Sequence, residues 1–184
     1  MKDRGEEAED HGACRKKAMD LLAVRERTEE ELRHRLIRAD YSHPAIERTL
    51  EVLKAENLLD DRRFAEQFAE ERRENRGHAP VRIEHELRKR GVDRETAHSA
   101  AWGPYERADA DPDTRLLDEA IELLRERSRR YRGLEAVTVR RRMAGVLGRA
   151  GYPAGVAMDA VDSVVEDMQS RGLLADGEDG SDRG

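Results

Sequence analysis

One spacing, found three times, constrains this chain more than any other feature. Leu32, Leu36, Tyr41, Ile46 and Leu50 stand four, five, five and four residues apart; Ile83, Leu87, Val92, Ala97 and Ala101 repeat those intervals 51 residues on, and Met143, Leu147, Tyr152, Ala157 and Val161 repeat them 60 further. Apolar residues four apart share one helix face. Each set therefore reads as a helix ending in an apolar pair, a turn holding one apolar plug, and a second helix that starts apolar. A further amphipathic stripe precedes each set, with helices expected at 13–26, 60–75 and 113–131. The unit is a three-helix module present three times, at 13–58, 59–108 and 112–171.

Three helices bury little on their own. The chain has 37% hydrophobic residues, 4% aromatic and 41% charged, too lean for one large core. Stacking in tandem lets each module cover its neighbour's apolar edge, so the expected fold is all-α, with tandem three-helix modules in an elongated, curved arrangement. No stretch alternates with a strand's period of two. Pro44, Gly77, Pro80, Gly91, Gly103, Pro104, Pro112, Gly133, Gly151 and Pro153 fall between the stripes. Residues 1–12 and 175–184 read as disordered acidic tails. Cys14 is the only cysteine, which excludes an internal disulfide and fits a packed thiol. With no apolar run of membrane-spanning length and no apolar signal segment, the expectation is a cytoplasmic protein that does not engage a membrane.

The segment Leu58-Leu59-Asp60-Asp61-Arg62-Arg63-Phe64-Ala65 joins the first two modules. Paired carboxylates can hold a metal, run acid–base chemistry or start a helix. Here they stand just before the stripe Phe64, Ala65, Phe68 and Ala69, where an N-cap belongs. Leu58 and Leu59 can fold back on Phe64 or Phe68 as a staple. Thr28-Glu29-Glu30-Glu31 has capping-box spacing. Arg171-Gly172-Leu173-Leu174-Ala175-Asp176 echoes the joint and closes the third module with no helix after it.

Catalytic patterns are missing. There is no Gly-x-Ser-x-Gly elbow and no glycine-rich phosphate loop. His34 shares a helix face with Glu31, but no second Glu-x-x-His pair completes a metal set, and His34 and His85 read as solvated. No catalytic, cofactor or metal residue is assigned. Arginine carries the remaining signal. Candidate binding residues are Arg25, Arg27, Arg72, Arg73, Arg76, Arg82, Lys89, Arg90, Arg129, Arg130, Arg140, Arg141 and Arg142. In the first two modules most basic residues have a Glu at helical spacing and read as a solvated face. Residues 125–149 differ, with nine arginines against only Glu126 and Glu135, and read as an anion-binding block.

Four segments resemble the RecX regulatory proteins, which modulate the bacterial recombinase RecA. Arg25-Glu26-Arg27-Thr28-Glu29-Glu30-Glu31-Leu32 resembles that family's Arg-x-Arg-Ser/Thr-x-x-Glu-Leu, and Leu58 to Ala65 its Leu-x-Asp-Asp-x-x-Phe-Ala. Arg82-Ile83-Glu84-His85-Glu86-Leu87 and Arg90-Gly91-Val92 match its second-module helix and turn. Asp40 and Ala79 depart from it, standing where the family usually has Gly. The resemblance implies a non-enzymatic regulator of DNA recombination, repair and the SOS response. It implies a monomer without cofactor, lying in the groove of a RecA filament and meeting the single-stranded DNA held there, and inhibiting RecA's ATPase, recombinase and coprotease activities. Three-helix units with short turns also describe a helix-turn-helix reader of duplex DNA, and a plain helical scaffold is a third possibility. The reader fares poorly: helix 44–56 sets Glu47, Glu51 and Glu56 beside Arg48 and Lys54.

Overall fold

A computed structural model describes residues 4–107 and 111–175. Among these the chain is helical throughout, apart from a single parallel bridge between Glu135 and Ala175. The helices are α1 (Arg4–Val24), α2 (Glu29–Arg38), α3 (His43–Ala55), α4 (Asp61–Arg76), α5 (Pro80–Lys89), α6 (Arg94–Glu106), α7 (Pro112–Arg127), α8 (Ala136–Ala150) and α9 (Ala154–Ser170), with a 3₁₀ turn at Ser128–Tyr131.

The repeated spacing is a burial pattern. Of the positions that define it, Tyr41 is half-buried and all the others are buried. Its three turns are one structure. The residue before the plug is left-handed in each, with φ of 64° at Asp40, 87° at Gly91 and 88° at Gly151. The plug's N–H then reaches back to the last buried turn of the helix: Tyr41 to Leu36 at 3.4 Å, Val92 to Leu87 at 3.2 Å and Tyr152 to Leu147 at 3.1 Å. This Schellman closure satisfies carbonyls that a helix end leaves free.

The chain divides into two compact units. One comprises residues 1–71 and 83–101, the other 72–82 and 102–184. In the first, Cys14 and Ala18 of α1, Leu32 and Leu36 of α2, and Ile46, Leu50 and Leu53 of α3 form a continuous core closed by Leu59. In the second, α7 and α8 pack on α9 around Leu116, Leu124, Met143, Leu147, Val164 and Met168.

Three local expectations change. Helix α1 begins at Arg4, so residues 4–12 are helical rather than tail; Asp10 ties this end down by accepting hydrogen bonds from the Ser42 N–H (3.3 Å) and hydroxyl. The tail beyond Ala175 and residues 1–3 lie outside the described residues. Gly103 and Pro104 lie inside α6, not between helices. The helix runs on because Tyr105, 1% exposed, buries its ring and donates its hydroxyl to Glu119 at 2.6 Å. That burial outweighs the hydrogen bond Pro104 forgoes. Finally, the leucine pair divides: Leu59 enters the core of α1, α2 and α3, while Leu58 stays 40% exposed.

Candidate functional site

The two aspartates of the joint do different things. Asp60 caps its own helix, accepting from the Arg63 N–H at 3.0 Å. Asp61 reaches across and accepts from the N–H of Glu29, the first residue of α2, at 2.8 Å. Both bonds satisfy amides that a helix start leaves without partners. Burial pushes the Asp61 carboxyl above its usual range, and the Glu29 hydrogen bond opposes the shift.

The other signature segments converge on that same start of α2. Thr28 is wholly buried; its hydroxyl accepts from the Glu31 N–H at 3.1 Å and donates to the Arg90 carbonyl at 2.6 Å. Glu31 does not close a capping box. Its carboxylate takes Arg25 at 2.8 Å and Arg90 at 2.5 Å. The Arg90 guanidinium also lies 5.0 Å over the Phe68 ring, and Phe68 stacks on Phe64 with centroids 5.9 Å apart. Arg27, 8% exposed, donates to the Leu21 carbonyl at 3.2 Å. Gly91 lies so close to Glu30 that a Cβ on it would fall 2.3 Å from the Glu30 Cβ. Arg25, Arg27, Arg90, Asp60, Asp61, Phe64 and Phe68 thus form one internal joint.

The second unit contains the same joint, one repeat on. Ala79, at the position of Thr28, donates its N–H to the Ala150 carbonyl at 2.9 Å, and a Cβ on Gly151 would fall 2.5 Å from the Arg82 Cβ. Arg82 donates to the Arg149 carbonyl. Arg73 and Arg115 bracket the Tyr105 ring at 5.6 and 5.4 Å. Asp111 caps α7 through the Thr114 N–H at 3.1 Å, as Asp60 caps α4. Burial pushes the Tyr152 phenol up to about 12.

The remaining basic candidates separate by partner. Arg72 and Arg76 lie on the last turns of α4, and each has a partner. Arg140 is ion-paired with Asp162 of α9, which removes it from the uncompensated block. Arg129 and Arg130 are exposed in the 3₁₀ turn, Lys89 is exposed at the end of α5, and Arg141 and Arg142 are exposed on α8. Helix α8 contains no acid. Arg149, missing from the sequence-based candidates, is exposed on α8 seven residues beyond Arg142. Two turns of helix separate them by about 10 Å along one face. The seven-residue interval was the available signal. The surface arginines Arg141, Arg142 and Arg149 can attract phosphates or carboxylates.

His34 and His85 are exposed, His34 beside Glu30 at 3.0 Å. Among the described residues no three His, Cys, Asp or Glu side chains gather as metal ligands, and no helix is long and apolar enough to cross a membrane.

Family models match two segments: RecX, first three-helix domain, over residues 14–53, and RecX, second three-helix domain, over residues 60–100. The chain is 34% identical over 157 residues to the regulatory protein RecX of Amycolatopsis mediterranei, covering 85% of this chain and 86% of that protein. It is 37% identical over 166 residues to RecX of Mycolicibacterium smegmatis, covering 85% and 84%. Among solved structures, RecX from Lactobacillus salivarius superposes with a TM-score of 0.69 at 19% identity, covering 89% of this chain and 99% of that one.

Proposed function

This chain belongs to the RecX family of regulatory proteins, and from that premise we propose that it is a non-enzymatic, cytoplasmic regulator that binds the RecA filament and lowers RecA's ATPase, recombinase and coprotease activities. The observation that carries this reading is the near-full-length similarity to RecX proteins. The joint supports a scaffold role over a catalytic one. Its charged and polar side chains are spent on helix starts and on each other, with no reacting group left poised. Three modules, 13–58, 59–108 and 112–171, then act as successive contact units on a monomer.

In this reading Arg129, Arg130, Arg141, Arg142 and Arg149 meet phosphates of the single strand within the filament. Each such contact releases counterions and adds salt dependence. The duplex-reading alternative fares worse, because acids crowd α3 and one of its two bases is held internally: Lys54 pairs with Glu29, Glu47 with Arg33, and Glu56, just past the helix, with Arg15. The deciding experiment is single-strand-dependent ATP hydrolysis by RecA, titrated with this protein. Hydrolysis should fall as the protein approaches stoichiometry with RecA. Unchanged hydrolysis at excess protein, with sequence-selective binding to duplex DNA, would replace this reading with the other.

A further inference from the structure

The fold repeats one seat three times and fills it twice. At the end of α5, the Arg90 carbonyl and Gly91 receive the first turn of α2. At the end of α8, the Ala150 carbonyl and Gly151 receive the first turn of α5. The equivalent place at the end of α2, formed by Ala39 and Asp40, receives no helix start among the described residues. A cavity of about 770 Å³ opens there instead, lined among others by Asp10, Ile37, Asp40, Tyr41, Pro44 and Arg48. Ile37 is 42% exposed at its rim, and His11 is among the lining residues, its Nε2 shielded from solvent and without a hydrogen-bond partner.

We propose that this seat docks the N-terminal turn of a helix on RecA; the inference rests on the RecA reading above and assigns it a contact. Two filled copies in the same chain show what the shape accepts: the start of a helix, whose cap residue donates to the last carbonyl of another, through the Thr28 hydroxyl in one and the Ala79 N–H in the other. Charge agrees. Asp10 stands 51 residues before Asp61, the carboxylate that caps the incoming helix in the first joint. With Asp40, the open seat therefore offers two carboxylates, against the one guanidinium of Arg48, to the positive end of a helix dipole, Asp10 through the oxygen that does not hold Ser42. Asp40 also sets the fit. Where glycine stands in the filled seats, an added Cβ would meet the incoming chain at 2.3–2.5 Å. The partner helix must therefore present a small residue at that point, or ride farther out over the carboxylate.

The test uses the full chain with Ile37→Arg and, separately, Asp40→Asn, in the RecA hydrolysis assay. Ile37→Arg puts bulk and positive charge at the mouth and should raise the half-inhibiting concentration about tenfold. Asp40→Asn keeps a residue that tolerates the left-handed backbone, removes one charge, and should raise it about threefold. Met158→Arg, on exposed α9 surface, should leave it unchanged. Thermal melting of each variant verifies folding, and Asp40→Asn keeps the test alive if Ile37→Arg unfolds. If the parent inhibits RecA and both seat variants match it, the seat assignment is wrong while the RecA reading stands. If the parent itself leaves hydrolysis untouched, both fall together.

Discussion

The carboxylate of Asp61 accepts a hydrogen bond from the backbone N–H of Glu29, 32 residues upstream, at 2.8 Å. That bond separates the two aspartates energetically. Asp60→Ala removes one N-cap and should cost about 1 kcal/mol. Asp61→Ala strips the acceptor from a half-buried helix start and should cost about 2 kcal/mol. Asp61→Asn keeps an acceptor oxygen and no charge. Because burial raises the folded carboxyl above its unfolded value, the stabilisation linked to this group is complete below the unfolded value and is lost as pH rises through the folded one. Relative to the parent, Asp61→Asn should therefore gain stability between pH 3 and pH 7. Urea unfolding across that range measures it, and a parent that gains on the variant with rising pH would contradict the assignment.

The three equivalent turns should respond to substitution with opposite signs. Gly91→Ala places a side chain at φ 87° and drives a Cβ to 2.3 Å from that of Glu30. The left-handed backbone alone costs about 1–2 kcal/mol, and the contact adds to it. Gly151→Ala should behave alike against Arg82. Asp40→Gly runs the other way: it relieves a left-handed residue at φ 64° with no incoming helix beside it, so stability should hold or rise by up to about 1 kcal/mol. Denaturant midpoints of the three variants test this directly, and a destabilised Asp40→Gly would show that its side chain supports the turn.

What could be read from residues alone follows from the range of the interactions involved. The module pattern is a local periodicity, and Leu32, Ile83 and Met143 are buried at equivalent places because one face of a helix repeats every few residues. The N-cap at Asp60 is equally local. The job of Asp61 is not, since its partner lies in another helix. The same holds for Arg140, whose Asp162 partner lies 22 residues on, and for Arg90, claimed by Glu31 and Phe68. Counting neighbouring acids marks such arginines as available when the fold has already paired them. Pro104 shows the reverse case, where buried Tyr105 carries α6 through a local breaker.

The hydroxyl of Thr28 serves two helices at once, accepting at the start of α2 and donating to the end of α5. Thr28→Val fills the same space and leaves the Glu31 amide and the Arg90 carbonyl without this partner. The expected loss is about 2–3 kcal/mol. Thr28→Ser retains the hydroxyl and should lose less than half of that. Hydrogen exchange adds a readout: the Glu31 amide should lose protection in Thr28→Val and keep it in Thr28→Ser.

Salt dependence distinguishes the arginines that reach phosphate from those that serve the fold. Arg140 is already held by Asp162, so Arg140→Ala should leave DNA-linked binding nearly unchanged. Arg141, Arg142 and Arg149 lie exposed on a helix with no acid of its own. Replacing these three with Ala should weaken binding to single-strand-loaded RecA. It should also flatten the plot of log K against log salt by about 2, since each single-strand phosphate contact contributes about 0.7 to the slope. The measurement is fluorescence anisotropy of labelled filament at several salt concentrations, with Arg140→Ala as the internal control. An unaltered slope in the triple variant would remove α8 from the nucleic-acid contact; a slope that fell as far in Arg140→Ala would mean the ion pair opens on binding.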